Sequence, residues 1–256
     1  MKWLLDPGGT RLKWARIPHS GPLEFGGAPW AEVGPTLEKI SATNCAKAPD
    51  EQPCVYVLKR PVPPAADLHG FSHWLASFQK GAIQDFDPIK KAPFSVGYTE
   101  GAPGSDRIAA AAACHERDPG GSFVIVDAGT CITVDLLSPG LWRGGAILPG
   151  LNLQAQSMAK AGLPVLTPNE HGQWPHQKGH LGALGTSTQG ALKAGIAWAT
   201  LKSVAGVAAS LIELDPCAQI ILTGGDAAHF DGLNGWQTFA DPNLVLSGAA
   251  ALLTPS

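Results

Sequence analysis

The sequence predicts an α/β protein made of two similar domains, each with a mixed sheet flanked by helices, facing one another across a cleft. Two observations predict this fold class. A strand, an Asp-x-Gly turn and a second strand occur twice, once near the start of each half, and strands alternate with helices elsewhere in the chain. The 256 residues, 45% hydrophobic and 15% charged, are enough to form two modest cores.

The repeated pattern occupies residues 3–15 (WLLDPGGTRLKWA) and residues 124–135 (VIVDAGTCITVD). Each copy predicts a short buried strand, a tight turn and an alternating second strand, which together form a β-hairpin. A helix stop at Asp-Pro-Gly-Gly, residues 118–121, separates the two copies. We therefore predict an N-terminal domain of residues 1–118 and a C-terminal domain of residues 119–256.

Further elements follow from composition and from stop signals. An alanine run predicts one helix, and longer apolar stretches predict two more. The helices are expected at Ser105–Arg117, about Thr188–Leu214 and about Leu246–Leu253. Buried strands are expected at Cys54–Leu58 and Gln219–Leu222.

Charge and cysteine usage argue against several classes of protein. The formal net charge is −3 and no run of Lys or Arg occurs, which disfavours a nucleic-acid surface. The five cysteines are scattered without a Cys-x-x-Cys pair, and the spacing of His171, His176 and His180 fits no known zinc pattern, so that stretch is predicted to be a surface loop. The apolar N-terminal run is too short for a signal peptide, and no later stretch is predicted to span a membrane. These features predict a reduced, cytoplasmic protein.

The Asp-x-Gly turns are candidate phosphate sites. Glycines let backbone N–H groups approach phosphate oxygens, and the aspartate can hold a metal ion or its water shell beside them. Lys13 follows Thr10 on the outgoing strand, where alternation can point it back at the phosphate. A single such turn is more typical of a plain hairpin than of a phosphate site. Two equivalent copies, with Thr223-Gly224-Gly225 after a third buried strand, favour a nucleotide site in which that third turn accepts the base or ribose.

The start of the first predicted helix carries a candidate catalytic group. Asp106 lies in the first helical turn, where the helix dipole favours its ionised form, and a carboxylate there can accept a hydroxyl proton. The neighbouring Arg107 can bind an anionic substrate group. The alternative is that Ser105 and Asp106 only cap the helix.

The ordered motifs resemble those of the type III pantothenate kinases, which have the actin-like ATPase (ribonuclease H-like) fold. The resemblance covers nearly the whole chain and is weakest between about Ile17 and Phe94. The family motif Asp-x-Gly-Asn-Thr-x-x-Lys is matched by Asp6, Gly8, Thr10 and Lys13. The motif Gly-x-Asp-Arg is matched by Gly104, Asp106 and Arg107. The motif Asp-x-Gly-Thr-x-x-Thr is matched by Asp127, Gly129, Thr130 and Thr133.

The resemblance implies ATP-dependent phosphorylation of pantothenate to 4′-phosphopantothenate, the first step of coenzyme A biosynthesis, by a homodimer that uses Mg²⁺ and a monovalent cation, K⁺ or NH₄⁺. It implies Asp106 as catalytic base and Asp127 as ligand of the monovalent cation. The implied pantothenate-binding residues are Tyr98, Gly104, Ser105, Asp106, Arg107 and Thr188. The implied ATP-binding residues are Asp6, Pro7, Gly8, Gly9, Thr10, Arg11, Leu12, Lys13, Thr130, Gly224 and Gly225.

Three positions depart from the family pattern. Gly9 stands where the family has asparagine, Pro7 removes an N–H from the same turn, and Cys131 replaces the usual alanine and is predicted to pack. The altered first turn favours an alternative, a non-catalytic family member acting as a transcription accessory or binding protein. A kinase for another small hydroxylated substrate is a further alternative.

Overall fold

The structure is a computed structural model that describes residues 2–38, 54–59, 71, 73–74, 76, 83–167, 174 and 183–253. The chain forms two compact units: the first draws on residues 1–93, 101–117 and 243–256, and the second on 94–100 and 118–242. The division differs from a single cut after residue 118, because the C-terminal helix packs within the first unit. The predicted histidine loop lies outside the described residues.

The first unit contains a five-stranded mixed sheet in the order β3-β2-β1-β4-β5. Its strands are β1 (Lys2–Pro7), β2 (Arg11–Ile17), β3 (Glu24–Pro29), β4 (Cys54–Leu58) and β5 (Ile83–Phe86). The β1–β2 and β2–β3 pairs are antiparallel, whereas β1–β4 and β4–β5 are parallel. The predicted first hairpin and the strand Cys54–Leu58 are thus confirmed.

One face of this sheet forms a core rich in aromatic residues. Trp3 lies 5.4 Å from Trp14 and 6.5 Å from Trp74, measured between ring centroids. Trp30 packs edge-on against Phe71 at 5.8 Å. Such tilted and T-shaped pairs add to the free energy gained by burying the rings. This core fixes the strands that carry the first Asp-x-Gly turn.

Two helices, α1 (Ser105–Arg117) and the C-terminal helix α5 (Leu244–Leu253), pack against each other in the first unit. Both were predicted, although the second begins two residues earlier than expected. Gly248 lies so close to α1 that a Cβ atom there would be 1.9 Å from the Ala109 carbonyl oxygen. The small residues at the crossing let the helices approach, which explains why α5 belongs to this unit.

We expect Gly248→Ala to lower the free energy of unfolding by about 1–3 kcal/mol, because an added methyl group must push the two backbones apart. The matched control is Gly206→Ala in the helix Ala199–Leu214, where a Cβ meets nothing within 4 Å. That control should raise stability by about 0.5–1 kcal/mol, since alanine favours the helix. Urea denaturation of both variants measures the difference, and equal effects would contradict the proposed close crossing.

The second unit repeats the same strand order. Its sheet runs β11-β10-β7-β8-β9-β6, so that β7 to β11 occupy the places that β1 to β5 occupy in the first unit. The strands are β6 (Ser95–Val96), β7 (Phe123–Ala128), β8 (Cys131–Ser138), β9 (Leu141–Pro149), β10 (Gln219–Thr223) and β11 (Thr238–Ala240). Again the first three strands of the set are antiparallel and the rest are parallel. The predicted second hairpin and the likeness of the two halves are confirmed.

The helices of the second unit are α2 (Leu151–Lys160), α3 (Thr188–Lys193) and α4 (Ala199–Leu214), with a π-helical segment, Ala194–Trp198, joining α3 to α4. The 27 residues from Thr188 to Leu214 form the predicted long helix, which by length and composition alone could cross a membrane. That corrects the expectation that no stretch is long and apolar enough. Core helices of globular proteins pass the same test, and Val204, Ala205 and Ala208 are buried in the unit's core.

Candidate active site

The first Asp-x-Gly turn joins β1 to β2, and its register pairs Asp6 with Lys13. Directly opposed residues of an antiparallel pair lie on the same face of the sheet. The Asp6 side chain is buried, with 3% of its surface exposed, and Lys13 is half-buried. The register therefore places the ammonium-bearing side chain on the face that carries the carboxylate, as strand alternation suggested.

The turn itself is held by a tryptophan that the sequence pattern did not single out. The indole Nε1 of Trp30 donates a hydrogen bond of 3.0 Å to the Gly8 carbonyl oxygen, and the Gly8 N–H donates to the Asp6 carbonyl oxygen at 2.9 Å. A Cβ atom at Gly8 would lie 2.9 Å from the Arg11 carbonyl oxygen. Glycine is required at this position by the tightness of the turn. A local sequence motif cannot reveal the Trp30 bond, because it joins residues 22 positions apart.

Asp106 lies in the first turn of α1 and is half-buried. Its Oδ1 atom accepts a hydrogen bond of 3.0 Å from the Arg107 backbone N–H, which also donates to the Gly104 carbonyl oxygen at 3.1 Å. A Cβ atom at Gly104 would lie 2.4 Å from that Oδ1, so a side chain at residue 104 would displace the carboxylate. Steric conflict with the Asp106 carboxylate thus explains why the Gly-x-Asp-Arg motif has glycine at its first position.

The residues beside Asp106 are fixed independently. Ser105 is buried, and its hydroxyl donates a hydrogen bond of 2.7 Å to the Lys59 carbonyl oxygen after β4. Arg107 is also buried, with 5% of its surface exposed. Ser105 therefore anchors the helix start to the sheet. The local bond to Oδ1 is compatible with a catalytic role for Asp106, since it also orients the carboxylate.

The second Asp-x-Gly turn joins β7 to β8, with Asp127 opposite Thr133. The loop between β9 and α2 packs onto this turn. The Gly150 N–H donates a hydrogen bond of 3.1 Å to the Thr130 carbonyl oxygen, and a Cβ atom at Gly150 would lie 2.4 Å from the Gly129 carbonyl oxygen. Thr130 itself is exposed and accessible to a ligand.

The Thr223-Gly224-Gly225 turn also contacts the second Asp-x-Gly turn. Gly224 has φ of +93°, and a Cβ atom there would lie 2.4 Å from the Ala128 carbonyl oxygen and 2.6 Å from Asp127 Oδ1. The Asp226 N–H donates a hydrogen bond of 3.0 Å to the Ala128 carbonyl oxygen. Two turns separated by about 95 residues in sequence thus meet backbone to backbone, and only glycine at residue 224 permits it.

The contact between these turns also bears on cation binding. The Asp127 carboxylate and the Ala128 carbonyl oxygen both border Gly224, and oxygen atoms are the ligands that hard cations prefer. Among the residues that the structure describes, no three His, Cys, Asp or Glu side chains converge as a metal centre. The donor set fits a cation that takes part of its coordination from backbone oxygens or from a bound ligand.

Tyr98 and Thr188 occupy different elements of the second unit. Tyr98 follows β6, is 37% exposed, and its ring packs 5.0 Å from that of Trp142 on β9. Beside it Gly144 has φ of +101° at a β-bulge, where a Cβ atom would lie 3.3 Å from the tyrosine ring. Thr188 is exposed at the first position of α3, after the capping residue Ser187.

One packing expectation was wrong. Cys131, next to Thr130, is exposed and does not pack in the core. It begins β8, where its carbonyl oxygen accepts a hydrogen bond of 3.1 Å from the Gly129 N–H. The alanine-to-cysteine change therefore places a thiol on the surface beside the second turn. None of the cysteines that the structure describes, which also include Cys54, Cys114 and Cys217, forms a disulfide bond.

Sequence comparison identifies relatives over much of the chain. The profile of the family described as type III pantothenate kinase matches residues 64–210. A type III pantothenate kinase of Azoarcus sp. is 31% identical over 264 aligned positions, covering 97% of this chain and 89% of that protein. One from Bacteroides fragilis is 35% identical over 168 positions, covering 64% of this chain but only 63% of its own length.

Solved structures show the same fold at low sequence identity. A protein of Campylobacter jejuni described as a Baf family transcriptional activator superimposes with a TM-score of 0.56 and 19% identity, covering 98% of this chain and 96% of its own. A protein of Sinorhizobium meliloti described as a 2-dehydro-3-deoxygalactonokinase superimposes with a TM-score of 0.52 and 9% identity, covering 100% of both chains. Together with the repeated strand order, these likenesses establish the actin-like ATPase fold. The chain belongs to the type III pantothenate kinase family.

Proposed function

We propose that this protein phosphorylates pantothenate with ATP, giving 4′-phosphopantothenate and ADP as the first step of coenzyme A biosynthesis. The observation that carries the proposal is the direct contact of the Gly224 turn with the Asp127 turn, in a chain that belongs to the family. That contact brings the Asp127 carboxylate, the exposed Thr130 and the open surface of Gly225 together. These are the groups a nucleoside triphosphate needs.

The chemical step is a phosphoryl transfer. The bond between the γ-phosphorus of ATP and its bridging oxygen breaks, the pantothenate 4′-hydroxyl oxygen bonds to that phosphorus, and ADP leaves. The hydroxyl proton passes to the Asp106 carboxylate. Asp106 suits this role because the Arg107 N–H orients its carboxylate at the start of α1.

The remaining residues bind and orient the substrates. In this proposal residues 6–13 and Thr130 hold the phosphates of ATP, and Gly224 and Gly225 lie against the nucleoside. Tyr98, Arg107 and Thr188 bind pantothenate together with Gly104 and Ser105. Support comes from the Asp6–Lys13 register, and from the Ser105 bond to the Lys59 carbonyl oxygen, which holds the helix start that carries Arg107.

Cations complete the charge balance. Mg²⁺ and a monovalent cation, K⁺ or NH₄⁺, neutralise negative charge on the phosphates when bound. Asp127 is the side chain we assign to the monovalent cation, because its Oδ1 atom borders Gly224 beside a backbone carbonyl oxygen. We also infer a homodimer from the family resemblance, and a cytoplasmic location from the scattered cysteines, which include no Cys-x-x-Cys pair.

Pantothenate-dependent release of ADP tests the proposal directly. The assay contains ATP, Mg²⁺ and the intact chain, with and without K⁺, and the product is identified by mass spectrometry. The matched control is 4′-deoxypantothenate, which keeps the carboxylate and the amide but lacks the accepting hydroxyl. We expect ADP release with pantothenate only, and faster release with K⁺.

Other outcomes would replace the proposal. Turnover of a different small hydroxylated acceptor, without turnover of pantothenate, would establish a kinase of another specificity. A folded protein that binds ATP and transfers no phosphoryl group to any acceptor would favour a non-catalytic binding protein. In that case the altered first turn, with Pro7 and Gly9, is the first region to revert toward the family pattern.

A further inference from the structure

We propose that His229 is a positioning residue that holds the nucleotide turn against the π-helical segment, and so couples nucleotide binding to the helix that begins at Thr188. The inference rests on the proposed nucleotide role of Gly224 and Gly225. His229 belongs to a short 3₁₀ helix, Ala227–Phe230, that follows this turn immediately. No sequence motif pointed to it.

The geometry of the bond shows that the Nε2 atom of the imidazole carries a proton. His229 Nε2 lies 3.0 Å from the Ala197 carbonyl oxygen. A carbonyl oxygen can only accept, so Nε2 carries the proton and donates. The bond joins residues 32 positions apart and connects the 3₁₀ helix to the long helix through a side chain.

The acceptor lies in the irregular part of the long helix. In the Ala194–Trp198 segment the Ala199 N–H bonds to the Ala194 carbonyl oxygen, five residues back. Such π-bulges are uncommon and occur frequently at functional sites. Here the bulge includes the carbonyl group that His229 binds, four residues after the end of α3 (Thr188–Lys193).

The 3₁₀ helix cannot move independently of the core. Phe230 is fully buried among the residues that pack β7, β8 and β10 against α4. At the other end the Asp226 N–H binds the Ala128 carbonyl oxygen of the second Asp-x-Gly turn. His229 lies between these two anchors, and its bond ties the segment after Gly225 to the long helix.

A second, independent connection reaches the same part of the helix. The Gln154 side-chain amide donates hydrogen bonds to the Pro149 carbonyl oxygen at 2.9 Å and to the Thr200 hydroxyl at 2.8 Å. Thr200 is buried and lies two residues beyond the π segment. The adjacent Gly150 binds the second turn through the Thr130 carbonyl oxygen.

Two of the three turns assigned to the nucleotide, the second Asp-x-Gly turn and the Gly224 turn, are therefore tied to one stretch of the helix that starts at Thr188. Ordering that stretch by nucleotide lowers the cost of ordering it again for the acceptor, and such coupling is reciprocal. Loss of the His229 bond should weaken nucleotide binding. It should also reduce the degree to which bound nucleotide strengthens binding of the acceptor. Chemistry at the transferred phosphoryl group should change little.

Three substitutions of His229 distinguish the position of the donor nitrogen from the mere presence of a polar side chain. His229→Gln places an amide nitrogen near the position of Nε2, His229→Asn places it only near Nδ1, and His229→Leu removes the donor. Titration calorimetry with a non-hydrolysable ATP analogue and Mg²⁺ gives the dissociation constant, with and without pantothenate. Steady-state assays give kcat and both KM values, and thermal unfolding gives Tm.

We expect His229→Asn and His229→Leu to raise the dissociation constant of the analogue by about 2- to 10-fold, the effect of one lost hydrogen bond. KM for ATP should rise in parallel while kcat stays near the wild-type value, and pantothenate should tighten analogue binding less than in the wild-type chain. His229→Gln should restore most of the affinity. The Gln and Asn variants are both polar, so their difference reports on the bond itself.

The inference is overturned if His229→Gln and His229→Asn bind the analogue equally, because the effect then does not depend on reach. Wild-type affinity in all variants, or no analogue binding by the wild-type chain, also overturns it. The analogue arm needs no phosphoryl acceptor. A chain that binds the analogue but does not phosphorylate pantothenate would refute the proposed function and still test the role of His229.

Discussion

Asp106→Asn is expected to lower the turnover of pantothenate by about 10²- to 10⁴-fold, the usual contribution of a general base. Asparagine has nearly the same shape and keeps an oxygen that can accept the Arg107 N–H bond. It cannot take up a hydroxyl proton at neutral pH. Because the fold and the substrate contacts persist, kcat should fall while the dissociation constant for ATP stays near that of the wild-type chain.

The matched control is Asp118→Asn, just past the other end of the same helix. Asp118 also accepts a local backbone bond, from the Gly120 N–H at 3.1 Å, and it is exposed. Its substitution should leave kcat unchanged. If Asp106→Asn retains more than about a tenth of wild-type kcat, Asp106 acts as a helix cap and not as the base.

Local chemistry explains why the hairpins and helices could be predicted. An Asp-x-Gly turn between alternating apolar strands specifies a hairpin within about ten residues of sequence, and both copies fold that way. Helix α1 ends at Arg117, two residues before Pro119, as its stop signal predicts. The repeated hairpin also led to the correct conclusion that the two sheets are alike.

The contacts that shape the site could not be predicted in this way, because they join distant parts of the chain. The Trp30 bond to Gly8, the Gly150 bond to Thr130 and the His229 bond to Ala197 each depend on how separate elements pack. Single residues of these types carry no motif. The same reason explains the C-terminal helix, whose place in the first unit depends on a glycine that fits against α1.

Gly224 shows how such a distant contact becomes a requirement on one residue. Alanine at its φ of +93° costs roughly 1–2 kcal/mol, and the new Cβ would lie 2.4 Å from the Ala128 carbonyl oxygen, an overlap that costs about 1–3 kcal/mol more. We therefore expect Gly224→Ala to lower the free energy of unfolding by about 2–5 kcal/mol. Urea denaturation measures the loss.

The functional effect should exceed what stability alone predicts. To relieve the overlap, the Gly224 turn must move away from Asp127. The Gly224 turn and the second Asp-x-Gly turn, both assigned to the nucleotide, then separate. A displacement costing about 1.4 kcal/mol already weakens ATP binding tenfold, so we expect at least that loss in protein that is still folded. Calorimetric titration of the folded variant with the ATP analogue measures it.

The adjacent glycine is the matched control for both measurements. A Cβ atom at Gly225 meets nothing within 4 Å, and its φ lies outside the left-handed region. Gly225→Ala should change the free energy of unfolding by no more than about 0.5 kcal/mol. If it weakens ATP binding although the fold is unperturbed, the added methyl group meets the nucleotide itself, which would place the nucleoside on Gly225. If Gly224→Ala binds ATP as the wild-type chain does, the contact between the two turns does not form the nucleotide site.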